Sequence, residues 1–128
     1  MDKFLKEYNG YIFEDNRCVC SDDFKSFAKK FKNFLKRTLP DCEIINHHCN
    51  HYDFSGFLKN SGNYIYYSYS WDRFSPVDIY NRYDCSQSVL IRFASSEKDY
   101  RGEHNNFTSF ASLPYDVIEM FERRAMNR

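Results

Sequence analysis

The chain has 128 residues, with 18 Lys+Arg against 18 Asp+Glu and 4 His, so its formal net charge is zero; that length predicts one ordinary domain rather than two. Aromatic residues make up 20% of the chain, as 13 Phe, 11 Tyr and 1 Trp, a load that argues against wholesale disorder. Neutrality removes any global field that would draw the protein to nucleic acid or to an anionic membrane, and no apolar run approaches the roughly 18 residues that cross a bilayer.

The start, Met1-Asp2-Lys3-Phe4-Leu5-Lys6-Glu7, lacks the apolar stretch of a secretory signal. Five cysteines, Cys18, Cys20, Cys42, Cys49 and Cys85, form an odd set without the spacing of a stapled secreted module. Both features predict a soluble protein with reduced thiols, kept in the cytoplasm. Phe4, Leu5 and Tyr8 fit a helical turn, and Tyr11-Ile12-Phe13 a short edge strand. From Ser21 the pattern is helical, with Phe24, Phe27, Ala28, Phe31, Phe34 and Leu35 on one face. Ser21 suits an N-cap, Asp22 and Asp23 the first turn and Lys36 and Arg37 the last, and Pro40 ends the helix. Lys25, Lys29, Lys32 and Lys36 fall on the opposite face, and residues 25–37 carry six positive side chains with no negative one.

Beyond Pro40 the texture changes to short runs of β-formers. The spacing predicts strands from Glu43 to Cys49, from His51 or Tyr52 to Leu58, from Tyr64 to Trp71 and from Val89 to Ala94. A turn at residues 59–63 makes a hairpin of the second and third. In the third, Ile65, Tyr67, Tyr69 and Trp71 point one way while Tyr64, Tyr66, Ser68 and Ser70 point the other. Turn-rich residues 72–88 and the polar residues 95–111 read as long connections, the second of a length that is often functional. Val117, Ile118, Phe121 and Ala125 predict a closing helix from about Pro114 to Ala125. The predicted fold is therefore α+β: an antiparallel sheet of three to five strands, with a Phe-rich N-terminal helix and a C-terminal helix on one face.

No segment spells out a reaction. There is no Gly-rich phosphate loop and no Gly-x-Ser-x-Gly turn. His47, Cys49 and His51 alternate, so a continuing strand would bring them to one face as zinc ligands, but no paired Cys-x-x-Cys knuckles accompany them; no metal and no cofactor is expected. Glu97, Asp99 and His104 offer carboxylates and a base of the sort used by metal-dependent hydrolases, yet any solvated loop looks alike, so no catalytic residue is assigned. Asp72, Arg73, Asp78, Arg82 and Asp84 read as solvated charges. Lys25, Lys29, Lys32 and Lys36 could meet phosphates, which makes a nucleic-acid-binding accessory protein the alternative function. Protein partners carry more weight, because Tyr and Trp beside Arg supply the rigid amphipathic anchors of interfaces. The candidate contact residues are Tyr64, Tyr66, Trp71, Arg73, Glu97, Lys98, Asp99, Tyr100 and Arg101.

Three runs carry a likeness: His51-Tyr52-Asp53-Phe54-Ser55-Gly56-Phe57; Tyr64-Ile65-Tyr66-Tyr67-Ser68-Tyr69-Ser70-Trp71-Asp72-Arg73; and Val89-Leu90-Ile91-Arg92-Phe93-Ala94-Ser95-Ser96-Glu97-Lys98-Asp99-Tyr100-Arg101-Gly102. Over residues 51–113 they resemble a loose group of small uncharacterised proteins of phages, plasmids and conjugative elements of low-GC bacteria. In that group a strand, Arg-x-Ala and Lys-Asp-Tyr-x-Gly recur in order. Glu103 stands here where the group often has a second glycine, and Phe93 where it has threonine. The group has no established active site to carry over. What the resemblance implies is a setting: cargo of a mobile element in a bacterial host, among small proteins that block host defences, anti-CRISPR inhibitors included. The leading expectation is then a non-enzymatic inhibitor of a bacterial defence protein, such as a CRISPR-Cas effector, using the aromatic sheet face and the 95–111 loop.

Overall fold

The computed structural model describes residues 4, 21–50, 53–70 and 89–126. The first helix, α1 (Ser21–Thr38), is followed by strands β1 (Glu43–Cys49), β2 (Asp53–Asn60), β3 (Asn63–Ser70), β4 (Val89–Ala94) and β5 (Asn106–Thr108), and then by helix α2 (Leu113–Met126). The strands form one sheet in the order β1-β2-β3-β4-β5, and every neighbouring pair is antiparallel. The α+β expectation is met, with five strands. Among the described residues no helix is long and apolar enough to cross a membrane.

The hairpin turn is tighter than the composition implied. Asn60 pairs with Asn63, and only Ser61 (φ 50°) and Gly62 (φ 82°) lie between them. Two positive φ values match the twist of the flanking strands, so β2 runs on to Asn60 instead of stopping at Leu58. Residues 95–111 are not one open connection either: Asn106–Thr108 adds a fifth strand to the edge of β4, with Leu90 opposite Phe107. Its polar Asn and Thr hid a strand whose pairing comes from the neighbour rather than from its own pattern. Expectations on residues 1–20 other than Phe4, and on 51, 52 and 71–88, fall outside the described residues.

One face of the sheet is built from alternate residues, as the period of two requires: Phe54, Gly56 and Leu58 on β2, Ile65, Tyr67 and Tyr69 on β3, Val89 and Ile91 on β4. Both helices bury their apolar stripes against it. α1 supplies Phe27, Ala28, Phe31, Phe34 and Leu35, none more than 2% exposed, while Phe4 and Phe110 complete the aromatic layer. The Phe31 and Phe54 ring centroids lie 4.7 Å apart and those of Phe4 and Phe34 4.8 Å, a close aromatic packing. α2 faces inward with Leu113, Val117, Met120 and Phe121. Ile118, expected on that inner stripe, is 43% exposed and Ala125 also lies outside; the helix has turned so that Met120 takes the buried place.

Two backbone devices seat the centre of this core. Gly56 lies opposite Tyr67, and a Cβ there would come within 2.4 Å of the Tyr67 hydroxyl and 2.7 Å of Cζ, so the fully buried ring lies over bare backbone. On β1 a bulge puts Asn46 and His47 against the single residue Gly56, since Ile45 pairs with Phe57 and His48 with Ser55. Asn46 takes the left-handed conformation (φ 56°) that asparagine tolerates well. The extra residue reverses the parity of the strand, turning His47 and Cys49 to the helix side and His48 to solvent.

Candidate interaction face

The opposite side of the sheet carries Phe57, Tyr66 and Arg92 in one cross-strand row. The Arg92 guanidinium stacks over the Tyr66 ring at 4.7 Å. From there residues 95–103 fold back across this face. Tyr100 sets its ring against Phe57 (5.3 Å between centroids) and Tyr66 (5.9 Å), and Phe57 becomes fully buried. Arg92 holds the loop from below, donating to the Tyr100 carbonyl and, at 3.0 Å, to Asn105 Oδ1. Its Nε is buried without a partner, and no carboxylate among the described residues pairs with the guanidinium.

The loop is a built unit. The backbone N–H groups of Ser95, Arg101 and Gly102 donate to the Asp99 carboxylate at 2.9, 3.1 and 2.9 Å, and the Ser95 hydroxyl adds a fourth bond at 3.0 Å. Those donors, Gly102 and Ser95 foremost, hold the Asp99 carboxyl down to about 2. Gly102 has φ 62° and lies so close to β4 that a Cβ would be 2.6 Å from the Phe93 carbonyl oxygen and 2.9 Å from Arg92 Cδ. Beyond it, Glu103 N–H donates to the Phe93 carbonyl at 3.0 Å, and the Glu103 side chain meets Arg124 of α2 at 2.6 Å. Arg124 in turn lies 3.9 Å over the Phe93 ring. On the other flank Asn46 Nδ2, at the β1 bulge, donates to the Glu97 carbonyl at 3.3 Å. The Lys98-Asp99-Tyr100-Arg101-Gly102 run thus has a physical account: Asp99 collects the amides, Tyr100 anchors the loop to the sheet and Gly102 permits the turn.

What remains outside is aromatic and basic. Tyr100 is 56% exposed in spite of its ring contacts, Lys98 and Arg101 are exposed beside it, and Phe107, on the same face next to half-buried Leu90, is 55% exposed. Tyr64 is half-buried one row away, with Lys59 Nζ 5.6 Å from its ring centre. The structure therefore brings together Tyr64, Tyr66, Glu97, Lys98, Asp99, Tyr100 and Arg101. Trp71 and Arg73 lie outside the described residues. Asp99 is committed to its own loop and is not free to bind anything else. Sequence reasoning overlooked Phe57, Asn46, Phe107 and Arg92 as parts of this face; the legible signal was Arg92 at even spacing on β4, which puts it on the side away from Ile91.

Comparison with protein-family models, curated proteins and solved structures found no match.

His47 and Cys49 do share a face, but His48 points away, His51 is outside the described residues, and no cluster of three or more His, Cys, Asp or Glu converges among the described residues. His47 is instead part of the core. Its Nδ1 lies 2.5 Å from the Tyr67 hydroxyl, and its Nε2 is buried beside the Ala28 carbonyl without full hydrogen-bond geometry. Burial, then the charge of Lys32, lowers the imidazole to about 4, and burial raises the Tyr67 phenol far above its ordinary range. A neutral ring and a neutral phenol therefore share one hydrogen bond, whose donor is set by the imidazole tautomer. Burial also raises the thiols of Cys42 and Cys49, which disfavours the nucleophilic thiolate. Lys25, Lys29 and Lys36 stand exposed on α1, and Lys32 is half-buried at its edge near His47.

Proposed function

We propose that the protein is a non-enzymatic inhibitor: it binds a bacterial defence protein, such as a CRISPR-Cas effector, and covers a working surface of it. The observation that carries the binding reading is Tyr100, half out of the molecule yet held in place by ring contacts below and by the Asp99 and Gly102 turn behind. An ordered aromatic beside Arg101 loses little entropy on association, and Tyr and Arg dominate the energetics of interfaces. The choice of a defence protein as target rests on the resemblance over residues 51–113.

The test is cleavage by purified CRISPR-Cas effectors with and without an equimolar amount of the protein. Stoichiometric inhibition of an effector is expected, and Tyr100→Ala with Arg101→Ala should weaken it by about a thousandfold, as two central anchors at about 2 kcal/mol each would. No inhibition across the effectors, or inhibition indifferent to both substitutions, would defeat the proposal.

A further inference from the structure

Lys25, Lys29, Lys32 and Lys36 follow the spacing i, i+4, i+7, i+11, which lines them up along one flank of α1 over about 16 Å at 1.5 Å per residue. The flank is the one beside β1, where Lys32 acts on His47 and Lys25 on Cys49. No carboxylate among the described residues pairs with any of the four. The chain as a whole is neutral, yet residues 25–37 hold six cationic side chains and no anionic one. That is a local concentration of positive charge along the helix, whose acidic residues, Asp22 and Asp23, both lie in the first turn before Lys25.

The chemistry of the line selects its partner. An amphipathic helix that lies on a bilayer offers it apolar side chains, but the apolar side chains described on α1 are spent: Phe27, Ala28, Phe31, Phe34 and Leu35 are all buried under the helix. A protein partner fits poorly too, because lysine is depleted in protein interfaces, where Arg and aromatics take over. A single strand would need rings on which its bases could stack, and all three phenylalanines between Lys25 and Lys36, Phe27, Phe31 and Phe34, are interior. A duplex backbone is different. It presents about one charge per 1.7 Å of axis and is held by lysine as a simple point charge.

We propose that this flank of α1 binds the phosphate backbone of duplex DNA without selecting a base sequence. The site lies on the helix side of the sheet, away from Tyr100, so it adds a second surface to the one argued above and stands or falls independently of it. An inhibitor with such a surface would meet its target where that target is already working on DNA.

The measurement is fluorescence anisotropy of a labelled 20-base-pair duplex of arbitrary sequence, from 50 to 200 mM salt. Four phosphate contacts give a slope of log affinity against log salt near about −3.5, which is a loss of about a hundredfold over that range. Lys29→Ala with Lys36→Ala should halve the slope, and each single variant should reduce it by about 0.9, a readout that survives if the double variant fails to fold. Lys98→Ala, on the opposite face, and Tyr100→Ala with Arg101→Ala should leave it alone. Undetectable duplex binding at 50 mM salt, a slope unchanged by the lysine variants, or equal binding to phosphatidylserine-containing vesicles would overturn the proposal.

Discussion

Gly102→Ala is the sharpest probe of how the interaction face is held. A left-handed alanine costs about 1 kcal/mol more than glycine. Its Cβ would also stand 2.6 Å from the Phe93 carbonyl oxygen, a backbone atom fixed in β4, and 2.9 Å from Arg92 Cδ. Relief requires residue 102 to lift away, which breaks the Glu103 N–H bond to that carbonyl at 3.0 Å and the Gly102 N–H bond to Asp99 at 2.9 Å. With net hydrogen bonds at about 1 kcal/mol each, the loop loses about 2–4 kcal/mol against its open form. Amide hydrogen exchange read by NMR should therefore speed up at Arg101 and Gly102 by a factor of roughly 30–1000, until it reaches the unprotected rate. Leu58 and Ile65, in the core of the sheet, should keep their wild-type rates. Exchange at the loop amides that does not change, or that accelerates in step with Leu58 and Ile65, refutes the reasoning.

Two further predictions concern the core. Gly56→Ala should lower the unfolding free energy by about 1–3 kcal/mol, because the Tyr67 ring, boxed in by Phe31 and His47, cannot step aside without overpacking its neighbours; a urea titration should show a smaller effect in a Tyr67→Phe background, and equal effects in both would dismiss the contact as the cause. His47 binds its proton less readily folded (about 4) than unfolded (6.5), so stability is full above pH 6.5 and drains away as the pH falls toward 4. The upper bound is about 3 kcal/mol, and partial exposure of the ring reduces it to about 1–2. His47→Gln should flatten the fall in urea midpoint between pH 6.5 and 4.5, although it lowers stability at neutral pH; parallel curves would show that other groups govern the acid limb.

The fold was legible wherever side-chain period and punctuation agreed. The Phe stripe of α1 with Pro40 behind it, the run from Val89 to Ala94 and the alternation of Ile65, Tyr67 and Tyr69 each name their element and their buried side. Asn106-Phe107-Thr108 carried no such pattern, since a three-residue edge strand is dictated by the strand it pairs with. Ile118 was placed inward and Met120 passed over because a short amphipathic helix leaves its rotation to tertiary packing. The bulge at Asn46 was beyond local reading too, as one inserted residue reverses the sense of everything after it. For the interaction face, the Lys98 to Gly102 run was visible as a unit, but its meaning was not: that Asp99 serves the loop itself and Tyr100 points back to Phe57 follows from long-range contacts that spacing does not encode.

The bulge also bears on what kind of contact the protein can make. β1 is one border of the sheet, and its hydrogen-bonding rhythm is interrupted at Asn46 and His47; the other border, β5, is only three residues long. Among the described residues, neither rim offers a straight template onto which an extended peptide or a second copy could add a strand. On the reading proposed above, recognition would fall to the broad surfaces, where specificity is written in side chains and a single substitution can erase it.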